Sequence, residues 1–93
     1  MSEVVRIAAD VVRGRRPTRE LAELLRGAGV GHRTVKKLVK KARECRKRYE
    51  EGDSFAPAMY ASLVLGVVDA YAGVERDPRE AADLVLRTVG EPD

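Results

Sequence analysis

The chain contains no asparagine, no glutamine and no tryptophan. Asn and Gln are the side chains that read adenine bidentately, so any recognition of bases would rest on Arg and Lys, and contact with phosphates is favoured over sequence readout. Avoidance of heat-labile amides in a chain that is 35% charged is a pattern of proteins from very hot environments, and a hyperthermophilic, archaeal source is expected. The single cysteine, Cys45, excludes an internal disulfide, and its setting beside Ala42 and Tyr49 predicts a small buried apolar residue. With one His and one Cys, no metal site of three or four soft ligands can be assembled, and no metal is expected. No uncharged apolar run reaches 18 residues. The longest, Phe55 to Val68, stops at Asp69, which excludes a membrane span. The start, Met1-Ser2-Glu3-Val4, lacks the basic region and apolar block of a secretory signal, so the cytoplasm is the expected compartment. His32 has no nucleophile or carboxylate beside it, and neither catalytic residues nor a cofactor are expected.

What is present is helix. No alternation of β-branched residues marks a strand, and the apolar periodicity predicts an all-α fold, a compact bundle of about five helices in a single domain over residues 1–93. The first spans about Glu3 to Arg13, with Val4, Val5, Ile7, Ala8, Val11 and Val12 forming a wide apolar face ended by Gly14. The second, about Arg19 to Arg26, carries Leu21, Leu24 and Leu25. The third, expected as the central helix of the bundle, is long and basic, from His32 to Glu51, and is stopped by Gly52-Asp53. The fourth follows Ser54, holds Pro57 in its first turn and reaches Ala72 with Asp69 as its only charge, which predicts a place near the centre of the fold. Within it Ala58, Ser62, Gly66 and Ala70 form a ridge without bulk for close helix packing, most simply core, with a dimer contact as the alternative. Asp77-Pro78-Arg79-Glu80 opens the fifth as cap, first-turn proline and reciprocal acid, and Gly90-Glu91-Pro92-Asp93 closes it.

The segment most suggestive of a ligand is Leu24 to Val39, where Gly27, Gly29 and Gly31 lead directly into the basic helix. Glycines permit positive φ and leave amides uncovered, and a helix start adds unpaired N–H donors and the positive end of its dipole, a setting suited to a phosphate. Residues 21–39 resemble the helix-hairpin-helix family through Gly29, Val30, Gly31, Thr34, Leu38 and Val39, with Arg33 where that family often carries a basic residue. The resemblance implies that hairpin amides hold a DNA backbone phosphate without reading bases. Two positions depart: Gly27 replaces a large apolar anchor and Val35 a small alanine, which implies a looser hairpin or helices set further apart. The plainer alternative is that the glycines only close one helix and start the next. A dinucleotide-binding reading is weaker, since no strand leads into the glycines. Tyr49-Glu50-Glu51-Gly52-Asp53, Gly66 and Asp69-Ala70 also resemble, in spacing, a small archaeal family of helical bundles of unknown function, which implies a bundle and no activity.

Between Arg33 and Arg48 nine Lys and Arg stand against one acid, Glu44. At 100° per residue Val35, Leu38, Val39, Ala42, Cys45 and Tyr49 form one stripe, while Arg33, Lys36, Lys37, Lys40, Lys41, Arg43, Lys47 and Arg48 cover the opposite side. Arg46 falls near the stripe, its stem lying on apolar surface. Like charges four apart repel by about 0.2–0.5 kcal/mol per pair, so their retention points to an anionic partner, either external or formed by the chain's own Glu75, Asp77 and Asp83. Duplex nucleic acid, DNA in the first instance, fits best; Phe55, Tyr49, Tyr60 and Tyr71 look mostly buried and give single strands no stacking platform. The site expected is Gly29, Val30, Gly31, His32, Arg33, Lys36, Lys37, Lys40 and Lys41, in an accessory or architectural role and with a homodimer as one way to strengthen binding. The alternative function is a non-enzymatic helical module docking on an acidic protein surface.

Overall fold

The computed structural model describes residues 2–90; the terminator Glu91-Pro92-Asp93 lies outside them. Five helices follow in order: α1 (Ser2–Val12), α2 (Thr18–Gly27), α3 (His32–Glu50), α4 (Ala56–Ala72) and α5 (Pro78–Val89), and the described residues contain no strand. Their buried apolar side chains make one cluster.

The hub of the bundle is α1, which packs against all four other helices. Seven of its eleven residues are buried, so little of its circumference is left for water. Apolar α4 lies near the centre as expected, packing on α1, α3 and α5 with nine of its residues buried, while α3 keeps one side for its charges.

Two helix ends are closed by arginines from distant segments. Arg46 of α3 donates from Nε and Nη2 to the Val11 carbonyl at 3.1 and 2.7 Å, and from Nη2 to the Arg16 carbonyl at 3.3 Å. The guanidinium thereby adds a second donor at the Val11 carbonyl, which also accepts from the Gly14 amide, and its charge complements the negative end of the α1 dipole. Arg13 donates likewise to the Val89 carbonyl of the last α5 turn at 3.1 Å.

The α4–α5 connection is held by Asp69, nearly buried, which accepts two bonds from Arg76, at 2.8 Å from Nε and 3.1 Å from Nη2. The bidentate geometry satisfies the carboxylate. Asp77 accepts from the Arg79 amide at 2.9 Å and so caps α5, although Glu80 makes no reciprocal bond. On the other side of α4, the Tyr60 hydroxyl donates to the Leu38 carbonyl and ties α4 to α3. Burial of this ring pushes the phenol well above its ordinary range, because the phenolate would lose its water.

Candidate nucleic-acid interface

The link between α2 and α3 is a helix stop followed by a helix start. Ala28 is the cap of α2 and Gly29 takes φ +84°, a left-handed conformation that side chains resist. The Val30 amide then donates to the Leu25 carbonyl and the Gly29 amide to the Arg26 carbonyl, each at 3.0 Å, while Val30 buries its side chain in the core. This is a Schellman closure with its apolar contact between Val30 and Leu25. The role expected for Gly29 and Val30 is corrected accordingly: their amides are committed to the protein's own acceptors and offer nothing to a phosphate.

One residue further the donors are free. Gly31 caps α3 with extended backbone, its carbonyl accepting from Val35 at 2.9 Å, and no side chain caps this end. No acceptor among the described residues takes the amides of Gly31, His32 or Arg33, and all three residues are exposed. The positive end of a 19-residue helix therefore faces outward. Tyr71, from the end of α4, stands beside it: its hydroxyl lies 3.1 Å from Thr34 Oγ1, and a Cβ at Gly31 would come within 3.2 Å of the same oxygen. Here absence of a side chain serves close approach, since the φ of Gly31 is ordinary, −63°.

The face of α3 follows the predicted stripe. Val35, Leu38, Ala42 and Cys45 are buried, Val39 and Tyr49 half-buried, and Arg33, Lys36, Lys37, Lys40, Lys41, Arg43, Lys47 and Arg48 exposed. Among the described residues only one ion pair engages these eight cations, Lys41 with Glu44 at 3.7 Å. Glu75, Asp77 and Asp83 do not neutralise them: Asp83 pairs with Arg87 at 2.9 Å, Asp77 caps its own helix, and Glu75 makes no ion pair among the described residues. Arg48 directs one nitrogen to the Cys45 sulfur at 3.7 Å, a contact that raises its already high pKa and leaves its charge in place.

Beside this face, between α2 and α3, runs a groove of about 310 Å³. Ala22, Val35 and Val39 form its floor; Arg19, Arg26, Lys36 and Arg43 stand along it, and no carboxylate does. The arginines of α2 extend the positive surface beyond α3, a contribution missed by considering each helix alone.

The aromatic residues depart from expectation. Tyr60 is buried and Tyr49 half-buried, but Phe55 is 58% and Tyr71 48% exposed. One ring beside the α3 start is a single surface, short of the successive rings on which bases of a strand stack. No helix among the described residues is long and apolar enough to cross a membrane, and no three of their His, Cys, Asp and Glu side chains converge as ligands. No known family model matches the chain, and neither does any curated protein or solved structure.

Proposed function

We propose that this helical bundle binds duplex nucleic acid without sequence preference, as an accessory or architectural protein. The observation that carries the proposal is the row of exposed cations on α3, of which only Lys41 has a carboxylate partner among the described residues, next to an uncapped helix start. One phosphate sits at the amides of Gly31, His32 and Arg33, and Arg33, Lys36, Lys37 and Lys40 neutralise it and its neighbours along the backbone. Lys41 lies at the margin of this set, partly engaged by Glu44.

A random-sequence duplex titrated at several salt concentrations tests the reading. Four phosphate contacts give a slope of about −3.6 in log K against log salt, at about −0.9 per contact. The variant Lys36→Ala/Lys40→Ala reduces the slope by about 2 and weakens every duplex sequence alike. Absence of salt-dependent binding at micromolar protein overturns the proposal.

A second reading, a module that docks on an acidic protein surface, is favoured by the groove between α2 and α3. Its apolar floor of Ala22, Val35 and Val39 has no use for a phosphate backbone but suits the apolar stripe of an acidic amphipathic helix. Val39→Glu distinguishes the two, because it would abolish docking in the groove while leaving most of the salt-dependent duplex affinity.

A further inference from the structure

From the outer surface of α4 we infer that this face is the contact between two copies of the chain, packed side by side with their α4 helices parallel. Phe55, Met59 and Leu63 recur every four residues along it and are 58%, 55% and 43% exposed. Ser62, Gly66 and Ala70 lie beside them, also exposed. On a helical projection these six positions span about 100°, the width of stripe that a helix ordinarily turns to a core. None carries a charge, in a chain that is 35% charged; the one charge of α4, Asp69, is held inside by Arg76.

The shape of the stripe serves nothing within the chain. A Cβ placed on Gly66 would meet no atom within 4 Å, so its smallness is not required by packing, and glycine is unfavourable inside a helix. The low Ser62-Gly66-Ala70 line with Met59 and Leu63 beside it is a groove and ridge, which a second identical surface can fill.

Charge on the two flanks chooses the partner and its orientation. On one side Lys41 and Arg48 of α3 border Met59 and Leu63. On the other, Val74 and Ala81 border Gly66 and Ala70 within residues 69–81, where the four acids Asp69, Glu75, Asp77 and Glu80 outnumber Arg76 and Arg79. A two-fold axis along α4 lays the α3 flank of one copy over the acidic flank of the other, and cations meet carboxylates. An in-plane axis across α4 lays the flank that carries Lys41 and Arg48 over the same flank of the other copy, and cations meet cations. Two copies with parallel α4 helices match at both flanks.

Sedimentation or light scattering of the full chain, at protein concentrations from about 1 μM to about 1 mM and without nucleic acid, separates this inference from the proposed function. The expected mass rises to twice 10.3 kDa. Met59→Glu/Leu63→Glu returns it to the single-chain value with the helical circular dichroism intact. Gly66→Leu does the same although it adds apolar surface, because it fills the low line that the partner occupies. A single-chain mass at every concentration, or a dimer indifferent to these substitutions, overturns the inference. For orientation, Met59→Cys and Gly66→Cys are oxidised separately: each joining to its own copy supports the parallel arrangement. Cross-linking only when the two variants are mixed overturns it.

Discussion

Arg46 belongs by position to the basic helix, but its removal should behave unlike that of any other cation there. Take Arg46→Met, which keeps an apolar stem and deletes the guanidinium, beside Lys47→Met, which deletes an exposed charge one residue on. Both lower the net charge by one, so a difference between them is local. Arg46 places two nitrogens on the Val11 carbonyl, a bifurcated bond, and extends a longer one to Arg16. A hydrogen bond to a charged group contributes about 1.5–3 kcal/mol and a helix-end charge another ~0.3–1. Gly14 also donates to the Val11 carbonyl, at 3.1 Å, so that oxygen is not left bare, and the half-exposed site weakens the electrostatic part. A net loss of about 2 kcal/mol follows, or roughly 8–16 °C in Tm at about 4–8 °C per kcal/mol for a domain of this size. Lys47→Met stays within about 0.5 kcal/mol of the parent. Thermal melts followed by circular dichroism read both values. If the two variants melt within about 2 °C of each other, the closure of α1 by Arg46 contributes nothing of consequence and the reasoning fails.

Three further outcomes are expected. Gly29→Ala should cost about 1–2 kcal/mol in a urea titration, because the residue occupies left-handed backbone, yet leave duplex affinity per folded molecule unchanged; lost affinity would show that the duplex approaches this backbone closely enough for the added Cβ to obstruct it. Tyr60→Phe should flatten the alkaline limb of stability: the buried phenol is raised, so its contribution is complete below pH ~10 and falls above it as the unfolded chain alone gives up the proton, by about 1.4 kcal/mol per pH unit. Urea titrations at pH 9 and 11 on parent and variant check the difference, and parallel decline in both would refute it. Lys37→Glu should raise Tm by about 2–4 °C at low salt by relieving repulsion from Arg33 and Lys41, each four residues away, a gain that vanishes at high salt while duplex affinity drops.

Much of the fold was legible because its signals are local. The stripe Val35, Leu38, Ala42 and Cys45 repeats at helical spacing, and its burial follows. Glycines 14, 29, 52, 73 and 90 stand near helix ends with positive φ, where punctuation by composition is strongest. The side of a helix that faces inward is another matter when several sides are apolar. Scarcity of charge put α4 near the centre, where it packs on three helices, but that Phe55, Met59 and Leu63 stay exposed is a choice made by competition for the core that no window of residues contains. The expected site divided for a similar reason. Glycine spacing marked the turn, but whether an amide faces solvent or the preceding helix depends on closing bonds set by Leu25 and Arg26, which take Gly29 and Val30 and leave Gly31. Contacts such as Arg46 with Val11, or Tyr71 with Thr34, join residues more than 30 apart and have no local signature.

The arginine closures carry a consequence for how this protein comes together. The donor for the end of α1 arrives from 35 positions downstream, and that for the end of α5 from 76 positions upstream. Local backbone bonds close each last turn, but the additional arginine bond forms only when the tertiary arrangement exists. Isolated peptides of the first or last helix should fray where the intact chain is firm, and the bundle should assemble in a single all-or-none event, with no stable half that could be cut out and kept.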